Sequence, residues 1–137
     1  MRFVDTNILL YSLELEAGES EKAEIARKIL LSADLALSVQ VLQEFYVQAT
    51  HSKRPYALTH DLAVRLIEKW MRFRIQENTV LLLRDALEIK RRYGTSYWDA
   101  SIIAAAQSAR YDDLLSEDPS HGQHYGGVMV VNPFLKT

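Results

Sequence analysis

The chain alternates short runs of consecutive apolar residues with longer segments in which apolar residues recur every three or four positions. The short runs predict buried strands at 1–5 (MRFVD), 35–38 (LALS), 79–83 (TVLLL), 113–116 (DLLS) and 128–131 (VMVV). The longer segments predict helices. Because strands alternate with helices, we expect an α/β fold of Rossmann-like type, with a mostly parallel central sheet flanked by helices on both faces.

The predicted helices have recognisable boundaries. Thr59 is a candidate N-cap, and Gly94 is placed to end a helix. The helix after Thr59 is expected to turn a stripe inward that consists of Leu62, Leu66, Trp70 and Phe73. Other helices are predicted at 8–15, 85–93 and 98–110. Trp98, which begins the last of them, is expected to pack in the core, with base stacking as the alternative.

Length and composition fit one soluble domain over residues 1–137. The sequence is 48% hydrophobic and 25% charged, and it has no cysteine, which excludes disulfides and thiolate metal sites. No apolar run approaches the roughly 20 residues that a bilayer requires, so a cytoplasmic protein without a membrane segment is expected. The net charge is −2, but residues 51–100 carry 10 Lys/Arg against 6 Asp/Glu. Such an asymmetry can guide an anionic partner, although solvated helix faces also explain it.

Four acidic residues are placed to meet at one edge of the sheet. Asp5 and Asp118 follow predicted strands, and ligands of open parallel sheets bind at the carboxyl ends of strands. Glu44 and Asp99 lie on helices that would flank the same edge. Each acid also has a structural explanation: an Asx-turn for Asp5, a solvated helix position for Glu44, helix capping for Asp99 within Ser-Tyr-Trp-Asp, and a turn for Asp118.

A cluster of carboxylates would need a cation. Two carboxylates about 5 Å apart cost roughly 3 kcal/mol at an effective dielectric of about 20. Mg²⁺ and Mn²⁺ are hard ions that prefer oxygen ligands, and they support the hydrolysis of phosphodiesters. A metal site for Mg²⁺ or Mn²⁺ is therefore the functional interpretation of the four acids.

The acidic motifs resemble those of a known family. Asp-Thr-Asn at 5–7 after a strand, Gln-Glu-Phe around Glu44, Ser-Tyr-Trp-Asp-Ala around Asp99, and Ser-Glu-Asp at 116–118 follow the order seen in PIN-domain proteins. The likeness is greatest to VapC-type toxins of bacteria and archaea, and it covers essentially the whole chain. It implies a metal-dependent endoribonuclease with Asp5, Glu44, Asp99 and Asp118 as catalytic metal ligands. Thr6, Asn7, Ser116 and Glu117 would support them.

The resemblance also implies partners: an RNA substrate, a cognate antitoxin and a second copy of the chain in a homodimer. It leaves open whether Glu117 or Asp118 is the fourth ligand. Ser120 stands where many relatives carry a further acid, which leaves the number of metal ions open as well.

Basic clusters supply candidate contacts to RNA phosphates, which would give salt-dependent affinity. These residues are Lys53, Arg54, Arg65, Lys69, Arg72, Lys90, Arg91 and Arg92. Favourable charge at helix C-termini is the alternative explanation for several of them. Two alternatives to a nuclease also stand: a PIN-like module that binds RNA or protein without cutting, and a phosphatase or phosphoacceptor domain. The second lacks the additional acid and lysine that it would require.

Overall fold

The computed structural model describes residues 2–117 and 121–135, and these contain six strands and six helices. The strands are β1 (Arg2–Val4), β2 (Leu35–Ser38), β3 (Arg74–Gln76), β4 (Asp113–Leu115), β5 (His124–Tyr125) and β6 (Val128–Val131). The helices are α1 (Thr6–Ser12), α2 (Ser20–Leu30), α3 (Val39–Ala49), α4 (His60–Trp70), α5 (Val80–Tyr93) and α6 (Tyr97–Ser108).

The strands form one sheet in the order β3-β2-β1-β4-β6-β5. All neighbouring strands are parallel except β5 and β6, which pair in the antiparallel direction. At the centre, Phe3 of β1 lies opposite Ala36 on one side and Leu114 on the other. The mostly parallel sheet predicted from the sequence is therefore confirmed.

Helices cover both faces of the sheet. All four residues of β2 are buried, although successive side chains of a strand point to opposite faces. Phe3, Ile8 and Phe45 are among the largest fully buried side chains, and the Phe45 ring packs edge-to-face on Trp70 with 4.7 Å between ring centroids. The core thus joins β1 to helices α1, α3 and α4.

Helix boundaries agree with the capping residues in the sequence. The Thr59 side chain accepts a hydrogen bond from the backbone N–H of Leu62, as an N-cap should. Gly94 ends α5 in the left-handed conformation with φ 69°, and its N–H donates to the carbonyl of Lys90. Both predictions are confirmed.

One predicted strand is wrong, and one strand was not predicted. The run at 79–83 is not a strand, because Thr79 caps α5 and the helix begins at Val80. The helix turns Leu82, Ala86 and Ile89 inward at helical spacing and leaves the other leucines of the run exposed. The strand in this part of the chain is instead β3, whose three residues have little apolar character.

The predicted inward stripe of α4 is correct for Trp70 and Phe73, which are buried. Leu66 is half-buried against the core, but Leu62 is 44% exposed, so the stripe begins later than predicted. Across residues 2–117 and 121–135, no helix combines the length and the apolar character that crossing a bilayer requires.

Candidate functional site

The two central strands β1 and β4 end side by side and place Asp5 next to Ser116. The strands are parallel, and the N–H of Asp5 donates to the carbonyl of Leu115 over 3.0 Å. Asp5 is the first residue after β1 and is only 8% exposed, while Ser116 follows β4 and is fully buried. The candidate site is therefore built on the carboxyl edge of the sheet, where ligands of such sheets bind.

The carboxylate of Asp5 is held at both oxygens. Its Oδ1 accepts a hydrogen bond from the N–H of Thr6 over 2.6 Å, so Asp5 also caps α1. Its Oδ2 accepts a hydrogen bond from the Ser116 hydroxyl over 2.7 Å. Short hydrogen bonds to a carboxylate are stronger than those between neutral groups. The side chain of Asp5 is consequently fixed in position before any ligand arrives.

Glu44 is fixed by residues from two helices. Its Oε2 accepts a hydrogen bond from the Thr6 hydroxyl over 3.1 Å, and its Oε1 accepts one from the amide of Gln40 over 3.1 Å. Gln40 is buried, and its amide oxygen accepts a hydrogen bond from the hydroxyl of Ser101 on α6. A polar chain thus links α6, α3 and α1 through Glu44. No sequence motif marks Gln40, although its place four residues before Glu44 puts it on the same helix face.

Asp99 lies in the first turn of α6. The Ser96 hydroxyl accepts a hydrogen bond from the N–H of Asp99 over 3.1 Å, so the predicted cap at this helix is confirmed. Capping uses the backbone of Asp99. The residue itself lines a cleft of about 280 Å³ together with Asp5, Asn7 and Glu44. Three acids that are distant in sequence therefore face one cavity.

The donor atoms at this cleft suit a hard divalent cation. Asp5, Glu44 and Asp99 offer only oxygen, and the amide oxygen of Asn7 is buried without a hydrogen-bond partner among the described residues. Across the described ranges, no three acidic or histidine side chains form a ready-made metal cage. Mg²⁺ usually keeps several waters and takes only one or two protein carboxylates, so it does not require such a cage.

The last acidic motif is only partly described. Asp118 lies outside the described residues. The carboxylate of Glu117 turns away from the cleft: it forms an ion pair with Lys22 and accepts a hydrogen bond from the hydroxyl of Tyr11. Burial and the hydrogen bond to Glu117 raise the pKa of Tyr11, and the same carboxylate raises the pKa of Lys22. Glu117 therefore ties the end of β4 to α1 and α2.

A family model described as "PIN domain" matches residues 2–124. The chain belongs to the PIN-domain family. The resemblance inferred from the acidic motifs is thus confirmed, and so is the expected PIN-type α/β fold. A comparison with curated protein sequences gives no match.

Solved structures similar to this PIN domain include toxin–antitoxin proteins. A toxin–antitoxin complex from Klebsiella pneumoniae is 20% identical, with a TM-score of 0.73 and 98% of each chain covered. VapC20 of Mycobacterium tuberculosis, described as a sarcin-ricin loop cleaving toxin, is 21% identical with a TM-score of 0.66, over 87% of this chain and 91% of VapC20. FitAcB from Neisseria gonorrhoeae is 18% identical with a TM-score of 0.63, over 98% and 99%. At these identities the likeness establishes a common fold.

The basic residues predicted to contact RNA are spread over the PIN domain, and within the described ranges none of the eight lines the acidic cleft. Arg54 contacts a residue that lines the cleft, because its guanidinium donates to the carbonyl of Gln48, and it also pairs with Glu16 at 3.1 Å.

The other basic side chains have mixed surroundings. Arg72 donates to the carbonyls of Lys69 and Leu30, and Lys90 donates to that of Thr95. Arg91 pairs with Glu88, and Arg92 lies over the Tyr93 ring. The side chains of Lys53, Arg65 and Lys69 are exposed. Their contact with RNA stays a prediction.

Proposed function

We propose that this PIN domain is a metal-dependent endoribonuclease and the toxin of a toxin–antitoxin pair. The observation that carries the proposal is the convergence of Asp5, Glu44 and Asp99, from three different elements, on one cleft at the carboxyl edge of the sheet. Asp118 is proposed as the fourth acid, because Glu117 is engaged by Lys22 and Tyr11.

The three acids would hold the ion, which is Mg²⁺ or Mn²⁺ in this proposal. A bound divalent ion supplies Lewis-acid chemistry, since it lowers the pKa of water and offsets the charge of a phosphodiester. Asp5 is prepared for this role by Ser116 and the N-terminus of α1, and Glu44 by Thr6 and Gln40. Preorganised ligands need no rearrangement when the ion binds, which favours both binding and catalysis.

Mutual repulsion of the acids supports the need for a cation. The carboxylates of Asp5, Glu44 and Asp99 line one cleft of about 280 Å³, so they concentrate negative charge that an incoming phosphate would have to meet. Neutralisation by a divalent ion would also allow the phosphate of an RNA strand to enter. The cleft is therefore suited to an anionic substrate only when a cation is present.

Protein partners are part of the proposal. The similar structure from Klebsiella pneumoniae supports a cognate antitoxin, since it is described as a toxin–antitoxin complex. Helix α5 exposes Val80, Leu83 and Leu87, which lie on one face at helical spacing. An exposed apolar stripe of this kind suits contact with another protein, either the antitoxin or a second copy in a homodimer.

The nuclease proposal is tested by RNA cleavage with purified variants. Asp5→Asn and Asp99→Asn are expected to abolish Mg²⁺- or Mn²⁺-dependent cleavage, since each removes a charged ligand and keeps the side-chain shape. Asp112→Asn is the matched control, because Asp112 is exposed and outside the cleft, and it should cleave like the wild type. Circular dichroism should show that all three variants are folded. Full activity of Asp5→Asn or Asp99→Asn would refute the proposal.

A second candidate function is a PIN module that binds RNA or protein without cutting. It is favoured by the lack of a ready-made metal cage among the described residues and by Ser120 in place of a further acid. Titration of Mn²⁺ into the purified protein separates the two functions. Retained RNA affinity without any Mn²⁺ binding would favour the module.

A further inference from the structure

Trp98 is a large aromatic side chain at the rim of the acidic cleft, and it is 62% exposed. The expectation that it packs in the core is wrong. It occupies the first turn of α6, directly before Asp99, and its ring packs edge-to-face on that of Tyr97, with 5.2 Å between ring centroids. A tryptophan exposed beside a candidate catalytic group offers a flat apolar surface on which a ligand can pack.

Trp98 also lines a second cleft, of about 340 Å³. Glu44, Gln48 and Trp98 line both this cleft and the acidic one, so the two cavities adjoin. The remaining lining of the second cleft includes Gln43 and Val47. One ligand could therefore place a group in each cavity.

The second cleft combines a flat apolar surface with neutral polar groups. Trp98 and the exposed Val47 supply the apolar part. The amide of Gln43 accepts a hydrogen bond from the amide of Asn78 over 3.3 Å, which orients it, and Gln48 adds a second amide. Side-chain amides carry both donors and acceptors, as the edges of nucleobases do.

We propose that this cleft is a base-binding subsite, in which an unpaired nucleobase of RNA stacks on Trp98 while the adjacent phosphate lies in the acidic cleft. The proposal rests on the proposed endoribonuclease function and assigns Trp98 and the second cleft to one base of its substrate. A nucleotide matches the arrangement because an anionic phosphate and a flat, uncharged base lie on either side of its sugar. A base within a duplex is stacked and paired, so it could not enter.

The chemistry of the second cleft distinguishes an RNA base from a charged peptide segment. Within the described residues, its lining contains no Lys or Arg to meet an acidic side chain and only Glu44 as a charged group. Stacking on an aromatic ring needs no charge, and it tolerates any base because every base has a π-face. The amides of Gln43 and Gln48 could then add a modest preference among bases.

Trp98 itself can report the contact. The chain has two tryptophans, and the other, Trp70, is 4% exposed against Phe45. In an Asp5→Asn protein that also carries Trp70→Phe, the fluorescence comes from Trp98 and RNA is not cleaved. Single-stranded decamers of adenosine or uridine should quench this emission. An abasic decamer with the same phosphates and a blunt RNA duplex should quench it far less.

Affinity measured with a labelled decamer keeps the test independent of the Trp70 substitution. In the Asp5→Asn background, Trp98→Ala should weaken binding by about 5- to 100-fold, and Trp98→Phe should restore most of the affinity. Tyr56→Ala is the matched control, because Tyr56 is also an aromatic residue that is 62% exposed but does not line either cleft. It should bind the decamer like the parent protein.

Several outcomes would overturn the subsite. One is that Trp98→Ala binds the decamer with the same affinity as its parent. Another is that the abasic decamer quenches the emission as strongly as the intact decamers. A third is that Trp98 emission shifts with protein concentration alone and RNA does not change it. The last result would assign the surface to a second copy of the chain. Cleavage by the wild type with unchanged binding by Trp98→Ala would reject the subsite and leave the nuclease intact. Base-dependent quenching by a wild type that never cleaves RNA would reject the nuclease and leave the subsite intact.

Discussion

The hydrogen bond from Ser116 to Asp5 gives a sharp test of how the candidate site is built. The hydroxyl of Ser116 donates to Oδ2 of Asp5 over 2.7 Å, Ser116 is fully buried, and Asp5 is nearly so. Ser116→Ala removes this donor and only one atom from the core. The expected loss of stability therefore comes from the hydrogen bond and not from a large cavity.

The magnitude follows from the charge of the acceptor. Hydrogen bonds to ionised groups contribute about 1.5–3 kcal/mol, against about 0.5–1.5 kcal/mol for neutral pairs. The short distance and the burial of both partners favour the stronger range, so Ser116→Ala should lower the free energy of unfolding by about 2 kcal/mol. For a chain of this length, that corresponds to a fall of about 6 °C in Tm.

Urea denaturation of metal-free protein, followed by circular dichroism, measures the effect. Ser12→Ala is the matched control, because Ser12 is also buried but donates to a neutral acceptor, the carbonyl of Leu9, over 2.7 Å. It should cost about 1 kcal/mol or less. The cost of Ser116→Ala should also fall to that range in an Asp5→Asn background. Equal costs at Ser116 and Ser12 in the wild-type background would refute a charged, preorganised Asp5.

Three further predictions concern stability, and urea denaturation checks each of them. Phe45→Ala should cost about 3–5 kcal/mol, because the ring is fully buried and packs on Trp70, and a cost below about 1 kcal/mol would contradict the described core. Gly94→Ala should cost about 1 kcal/mol, since a left-handed residue ends α5, and no loss would contradict that conformation. The hydrogen bond to Glu117 raises the pKa of Lys22 in the folded protein. The contribution of Lys22 to the free energy of unfolding is therefore present below about pH 10.5 and is lost as the pH rises through the higher pKa of the folded state. The stability difference between wild type and Lys22→Met should therefore shrink in strongly alkaline solution, and a constant difference would contradict the ion pair.

The fold was predictable from the sequence where a segment carries its own structural signal. The strand LALS is buried on both faces, so all four of its residues are apolar or small, and Thr59 and Gly94 mark helix ends through local hydrogen bonding and backbone conformation. The run at 79–83 failed because a short apolar run fits a buried strand and a helix equally well. Strand β3 was missed because its three residues lack that apolar run.

Three of the four predicted acids line one cleft, but the surroundings of the acidic motifs were not predictable. The place of Asp5 follows from the rule that parallel strands end at one edge, and the lining of one cleft by Asp5, Glu44 and Asp99 agrees with that expectation. Their role as metal ligands stays a prediction. The exposure of Trp98 and the partners of Glu117 depend on residues far away in the chain, such as Lys22, which no local pattern connects to them.

Direct titration of Mn²⁺ into metal-free protein, with free Mn²⁺ followed by electron paramagnetic resonance, tests the central claim that the separated acids form one cation site. The wild type and Asp112→Asn should bind Mn²⁺ saturably. Asp5→Asn, Glu44→Gln and Asp99→Asn should each bind it at least about 10-fold more weakly, because even groups that only support metal ligands typically cost that much affinity when they are lost. Unchanged Mn²⁺ affinity in all three variants would show that these acids do not form a cation site.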